Sequence, residues 1–183
     1  MPNPTKSIIS SLLIALFCGV GLPGFSQSSP NPNIIFILAD DLGYGDLQSY
    51  NPASLVPTPN LDRLAEEGTR LTNAYCPVAV CSPTRYSLMT GRYSFRSWKP
   101  NGVMSNYEPS LIEAELLTLP EMLRESGYTT AGFGKWHLGT TFPTLDGKKP
   151  AGKGQIRAED NGTNQEFSKP MSEGPQEHGY DHR

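Results

Sequence analysis

The fold class is decided by the continuous apolar run Ile34-Ile35-Phe36-Ile37-Leu38-Ala39, which ends in Asp40 and Asp41. Such a run is typical of a β-strand that is buried on both faces of a parallel sheet. Ligands of open α/β sheets gather beyond the carboxyl ends of the strands. The two carboxylates are therefore candidate ligands for a hard cation, which prefers carboxylate oxygens. A turn or helix-cap role for the two acids is the alternative.

The segments that follow alternate between helical and extended patterns. Residues 58–68 contain a threonine N-cap, a proline at the first helical position and a glycine stop, and residues 69–75 then alternate in polarity as a strand does. Residues 118–127 begin with a Thr-x-x-Glu capping box and end at a glycine, and residues 128–134 form a second candidate buried strand. This βαβ order predicts an α/β fold with a mixed, mostly parallel sheet flanked by helices.

A third helix is predicted from the stretch Cys81-Ser82-Pro83-Thr84-Arg85, with Gly91 as its stop. Cys81 would lie at the helix N-terminus, where free N–H groups and the macrodipole favour negative charge. Arg85 would lie one turn along on the same face, where it can contact an oxyanion. A buried thiol, or a disulfide with Cys76, is the alternative reading of the cysteine.

Lys135 and His137 come directly after the candidate buried strand at residues 128–134. Two residues apart in an extended segment, they point to the same side. This places a cation and a titratable imidazole together at the carboxyl end of a strand. A surface lysine and a packed histidine are the alternative.

Three of these stretches resemble motifs of the sulfatase family. Cys81–Arg92 matches a Cys-x-Pro-x-Arg signature followed by Thr-Gly-Arg, Asp40–Asp46 is similar to the first metal-binding loop, and Gly134–Gly139 is similar to a Gly-Lys-Trp-His-Leu-Gly motif. The resemblance runs from about Asn33 to Gly139, and weakly to Gly179-Tyr180-Asp181, and it implies an alkaline-phosphatase-like fold. Family members are much longer, so we expect an incomplete N-terminal fragment that is inactive alone, with further metal and substrate ligands beyond residue 183.

The resemblance also implies a chemistry. In the family, a formylglycine-generating enzyme oxidises the signature cysteine to formylglycine, whose hydrate is the nucleophile, and a Ca²⁺ ion binds beside it. The lysine and arginine stabilise the modified residue and the sulfate, and the histidine helps to deprotonate the hydrate. Conversion of Cys81 would leave Cys76 unpaired. The residues implied are the catalytic Cys81, Arg85, Lys135 and His137 and the metal-binding Asp40, Asp41 and Cys81.

The predicted reaction is hydrolysis of a sulfate ester, carried by a sulfated small molecule or a sulfated carbohydrate. Two alternatives stay open. A phosphonate or phosphate monoester hydrolase could use the same formylglycine and metal site, because sulfate and phosphate share tetrahedral geometry. A protein that binds sulfated glycans without catalysis could also present these residues, although it would have no need of a Cys-x-Pro-x-Arg site.

The first residues predict export to the periplasm or the extracellular space. Residues 1–26 contain a lysine, a short apolar run and a small-residue cleavage site, as secretory signal peptides do, and the run is too short for a stable membrane anchor. Residues 27–32 form a linker, and residues 33–183 form the N-terminal part of the catalytic domain, loop-rich from residue 144. A formal net charge of −3 gives no indication of nucleic-acid binding.

Overall fold

The computed structural model describes residues 31–105, 108–148 and 163–183. The predicted signal peptide and most of the predicted linker lie outside these residues. Residues 31–39 belong to one unit, and the described residues from Asp40 onward belong to a second, compact unit. None of the helices in the described part is both long and apolar enough to span a membrane.

The described residues of the second unit contain three α-helices, and all three were predicted from signals at their ends. They are α1 (Pro59–Glu67), α2 (Cys81–Thr90) and α3 (Leu119–Glu125). Two single turns of 3₁₀-helix, Ser94–Arg96 and Gln176–His178, complete the helical structure of the described residues.

The local signals act as expected at the start of α3 and at the end of α2, whereas the Thr58 side chain makes no capping hydrogen bond at the start of α1. At α3, the Thr118 hydroxyl accepts the N–H of Glu121, and the Glu121 carboxylate accepts the N–H of Thr118 at 2.7 Å, so the capping box is complete. Helix α2 ends at Gly91, which has φ 66° and donates its N–H to the Ser87 carbonyl at 2.9 Å. Left-handed backbone at this position suits glycine because it has no Cβ.

The predicted parallel sheet is not present in the described residues. Residues 34–39, 69–75 and most of 128–134 are extended or irregular, and the β-pairing found consists of isolated bridges, of which Ala131 with His182 is parallel. A strand requires hydrogen-bond partners along its edges and cover for its apolar side chains. Here Ile35 is 85% exposed and Phe133 is 86% exposed. In the described residues these three segments therefore form no extended strand pairing beyond the isolated Ala131–His182 bridge, and the predicted sheet is not confirmed.

The core of the second unit is built around the buried face of α2. Tyr86 and Met89 of this helix pack with four side chains from two later segments: Met104, Leu111, Ile112 and Leu138. The two later segments are also joined through their backbones, because Leu111 donates to the Leu138 carbonyl at 2.8 Å and Thr140 donates to the Glu108 carbonyl at 3.0 Å. This packing fixes the position of residues 138–140 relative to α2.

The last residues fold back onto the middle of the chain. The Asp181 carboxylate accepts the Thr130 N–H at 2.8 Å, and this backbone hydrogen bond is the main reason that the pKa of Asp181 is lowered. The Thr118 hydroxyl donates to the His178 carbonyl at 2.9 Å. These polar contacts hold the described residues 178–181 against residues 118 and 130.

Thr118 joins the start of α3 to the C-terminal segment that contains His178, so substitution of Thr118 should destabilise the protein. We expect Thr118→Ala to lower the free energy of unfolding of the whole protein by about 1–2 kcal/mol, because it removes an N-cap and leaves a buried carbonyl without its donor. Thr118→Ser keeps the hydroxyl and should retain most of the stability. Chemical denaturation measures the difference, and an alanine variant as stable as the parent would contradict this role.

Candidate active site

Cys81 is the first residue of α2, so its side chain lies at the positive end of the helix dipole. It is half-buried and a free thiol, and Cys76 is an exposed free thiol. The alternative prediction of a disulfide between these two residues is therefore not what the structure shows.

The ammonium group of Lys135 joins Cys81 to Asp40. Lys135 Nζ lies 2.6 Å from Asp40 Oδ2 and 3.3 Å from Cys81 Sγ. A guanidinium nitrogen of Arg85 lies 3.6 Å from the other carboxylate oxygen of Asp40. Four residues predicted from three separate motifs are thus brought into one cluster.

The charges in this cluster reinforce one another. The pKa of Asp40 is lowered, chiefly because Lys135 donates a hydrogen bond to the carboxylate, with a smaller contribution from Arg85. The pKa of Lys135 is raised, chiefly because the carboxylate of Asp40 accepts this hydrogen bond, and secondly because of Cys81. Asp40 therefore stays a carboxylate and Lys135 stays an ammonium at neutral pH.

Arg85 also holds the backbone that carries Lys135. Its guanidinium donates to the Lys135 carbonyl, and its side chain is only 13% exposed. Its Nε is buried without a hydrogen-bond partner among the described residues. The predicted position of Arg85, on the Cys81 face of α2, is consistent with these contacts.

His137 is held from a different direction. Its Nε2 lies 3.0 Å from the Met104 carbonyl oxygen, and its Nδ1 is buried without a partner in the described part of the chain. Among the described residues, His137 (φ 55°) and Asp41 (φ 62°) are the non-glycine residues with positive φ. Such backbone costs roughly 1–3 kcal/mol and is concentrated at functional sites, and both residues were predicted as site residues.

The described residues supply only part of the ligands that a metal site requires. Asp40 and Asp41 offer carboxylate oxygens, which suit a hard cation such as Ca²⁺. No group of three or more His, Cys, Asp or Glu side chains that could hold a metal occurs within the described ranges, and Asp40 is already paired with Lys135 and Arg85. The donor type therefore fits Ca²⁺, whereas the donor number falls short of the usual six to eight.

Two supports of this site were missed by sequence reasoning. The Met104 carbonyl, which contacts His137, has no side-chain signal that a motif could reveal. His178 is buried, hydrogen-bonds Ser110 Oγ at 2.8 Å and stacks on Trp136, with ring centroids 5.9 Å apart. Burial lowers the pKa of His178, so the ring is neutral at neutral pH. The neutral ring packs against Trp136, which lies between Lys135 and His137 in the sequence.

Comparisons with known proteins identify the family of the chain. The model of the sulfatase family matches residues 32–181. The chain is 46% identical over 113 residues to an N-acetylgalactosamine-6-O-sulfatase of Bacteroides thetaiotaomicron, covering 62% of this chain and 22% of the relative. It is 44% identical over 129 residues to human arylsulfatase A, covering 70% of this chain and 24% of that protein.

A solved structure extends the likeness to the fold. This structure, described in terms of the metabolism of multiple glycosaminoglycans by Bacteroides thetaiotaomicron, matches with a TM-score of 0.66 at 37% identity. The match covers 84% of this chain and 28% of that chain. The likeness supports the predicted alkaline-phosphatase-like fold. The chain spans between a fifth and a third of the length of these relatives.

The family model covers more than half of the residues, and the motifs that it shares with this chain meet in the cluster of Asp40, Lys135 and Cys81. This chain therefore belongs to the sulfatase family.

Proposed function

We propose that this chain forms the N-terminal part of an exported, metal-dependent sulfatase that hydrolyses sulfate esters. The observation that carries the proposal is the position of Lys135, whose ammonium reaches both Asp40 and Cys81. A sulfate ester carries negative charge on its oxygens, and the charge on the leaving oxygen rises as the S–O bond breaks. A preorganised cation beside the nucleophile position favours this reaction.

Lys135 and Arg85 are proposed to bind the sulfate oxygens and residue 81. Arg85 is largely shielded from water, and interactions between charges are stronger where water is excluded. Arg85 is also anchored to the Lys135 carbonyl, so the two cations are held together before substrate arrives. This arrangement reduces the reorganisation that the reaction would otherwise require.

Cys81 is proposed to be converted to formylglycine, which supplies a hydrate oxygen as nucleophile and a second oxygen through which the sulfate group can be expelled. His137 is proposed to accept the proton that must leave during this expulsion, a general-base role. Its Nδ1 is buried and without a partner among the described residues, which leaves a ring nitrogen available for such a proton.

Asp40 and Asp41 are proposed to bind Ca²⁺, together with residue 81 and ligands from outside the described residues. When bound, the ion would supply a positive charge that lowers the pKa of the nucleophile oxygen and neutralises charge on the sulfate. The lowered pKa of Asp40 favours this role, because a metal ligand must be deprotonated.

The proposed substrate is a sulfated carbohydrate or a sulfated small molecule. The relatives support the ester class: one is named for a sulfated amino sugar and another for aryl sulfates. Maturation would need a formylglycine-generating enzyme as a partner. Export rests on the signal-peptide pattern of residues 1–26.

The direct test is a comparison of matched substrates with the whole protein, expressed in a host that modifies the signature cysteine. We expect kcat/KM for an aryl sulfate to exceed that for the corresponding aryl phosphonate and phosphate esters. A preference for the phosphonate would favour a phosphonate hydrolase instead. Binding of sulfated glycans without turnover, with unmodified Cys81, would favour a non-catalytic binding protein.

Cys81→Ser should separate sulfate transfer from sulfate release. A serine hydroxyl can accept the sulfate group but has no second oxygen through which to expel it, so we expect about one equivalent of released alcohol and then no further turnover. Mass spectrometry of the peptide 76–92 should show an aldehyde in the parent and a sulfated serine in the variant. Cys76→Ser, at an exposed thiol, is the matched control and should turn over normally. Sustained turnover by Cys81→Ser would contradict the mechanism.

Lys135→Met should weaken catalysis far more than it weakens stability. The change removes the charge shared by Asp40 and Cys81, and loss of one such donor costs a factor of about 10²–10³ in rate. Lys148→Met is the control, because Lys148 is exposed and pairs with Asp146 rather than with the cluster. Steady-state kinetics on an aryl sulfate measures both. Equal effects of the two substitutions would show that the position of Lys135 is unimportant.

A further inference from the structure

Ser82, which has no role in the proposed mechanism, makes a buried contact directly beside the nucleophile position. It is the second residue of α2, next to Cys81, and is 1% exposed. Its Oγ accepts the backbone N–H of Met104 at 3.1 Å, and Met104 is 3% exposed. Because both partners are shielded from water, the N–H of Met104 would be left unsatisfied without the hydroxyl.

The same residue, Met104, uses its other backbone group to contact His137. Its carbonyl oxygen lies 3.0 Å from His137 Nε2. A carbonyl oxygen can only accept, so Nε2 carries a proton in this contact. In the neutral ring the lone pair then resides on Nδ1, since the hydrogen bond at one nitrogen sets the state of the other. Nδ1 is the ring atom that is buried and lacks a partner among the described residues.

Contacts of residues 138–140 fix the backbone next to His137, but they do not fix the orientation of its ring. Leu138 accepts the N–H of Leu111, and Thr140 donates to the Glu108 carbonyl. An added Cβ at Gly139 would collide with the Pro109 carbonyl, so the two segments lie against each other. These contacts place the His137 Cα, whereas among the described residues the ring itself is held by its contact with the Met104 carbonyl.

We propose that Ser82 is a positioning residue for His137 and acts through the Met104 backbone. By holding the Met104 N–H, Ser82 orients the Met104 peptide groups so that the carbonyl meets Nε2–H and Nδ1 is left as the proton acceptor. The inference deepens the proposed function and rests on it, because the choice of ring tautomer matters to catalysis only if His137 accepts a proton.

The tautomer can be measured without any turnover. The whole protein is labelled with ¹⁵N-histidine, kept metal-free with Cys81 unmodified, and examined by long-range ¹H–¹⁵N correlation at a pH where the rings are neutral. The His137 signals are assigned by their loss in His137→Gln. We expect the Nε2–H tautomer in the parent protein and in Ser82→Thr, which keeps the hydroxyl.

Variants of Ser82 without the hydroxyl should no longer favour the Nε2–H tautomer of His137. Ser82→Ala is smaller than the parent side chain and Ser82→Val has the shape of threonine, so the pair separates the hydroxyl from volume. Both should show a mixture of tautomers or a shift to Nδ1–H. The proposal is overturned if the parent protein shows the Nδ1–H tautomer, a result that does not depend on whether any Ser82 variant folds. It is also overturned if Ser82→Ala or Ser82→Val keeps the parent pattern.

Kinetics then distinguishes this inference from the proposed function. Ser82→Ala should keep the first turnover and slow steady-state sulfate release by about tenfold or more, less than the factor of about 10²–10⁴ for a lost general base. The double variant with His137→Ala should be no slower than His137→Ala alone, since both act through one group. A changed tautomer with unchanged release would uphold the positioning role and overturn instead the base role of His137.

Discussion

The site depends on one ammonium group shared between a carboxylate and a thiol. Lys135 is 95 positions from Asp40 and 54 positions from Cys81, and its side chain brings the two together. An ion pair between partly exposed groups contributes little to folding stability, because water and salt screen it. Its value lies in geometry: it fixes a cation next to the residue where sulfate chemistry is proposed to occur. The contact is therefore better understood as preorganisation for an anion than as a stabilising bridge.

Helix α2 is the frame that allows this preorganisation. One face carries Tyr86 and Met89 into the core, where they pack with Leu138 just after the Lys135–His137 segment. The start and next turn of the helix carry Cys81 and Arg85 to the cluster. The core thus places the reactive end of the helix and the lysine segment in one body. It also compensates for the unfavourable backbone of His137, because the buried Leu138 and the partly buried Trp136, on either side of it in the sequence, pack at the core.

The correction to the predicted sheet has the same physical origin as the success of the helix predictions. Helix ends are set by contacts within a few residues, such as the Thr118–Glu121 capping box, and are therefore visible in the sequence. A strand is completed only by neighbours that are distant along the chain. The apolar run at residues 34–39 has strand composition, yet no strand pairs with it among the described residues, and its side chains are exposed. Composition alone therefore predicted the character of these segments but not their pairing.

By itself, the sequence determined the three helices and the family, because capping signals are local and the motifs are short and specific, and it predicted the residues of the candidate site. The tertiary structure decided which of those residues meet. It placed Lys135 between Asp40 and Cys81, tied Arg85 to the backbone of residue 135, and left Asp41 outside these contacts. It also placed the Met104 carbonyl against the His137 ring and the Ser82 hydroxyl against the Met104 N–H. Backbone groups are the same in every residue, so only the folded path of the chain can reveal which carbonyl faces which ring.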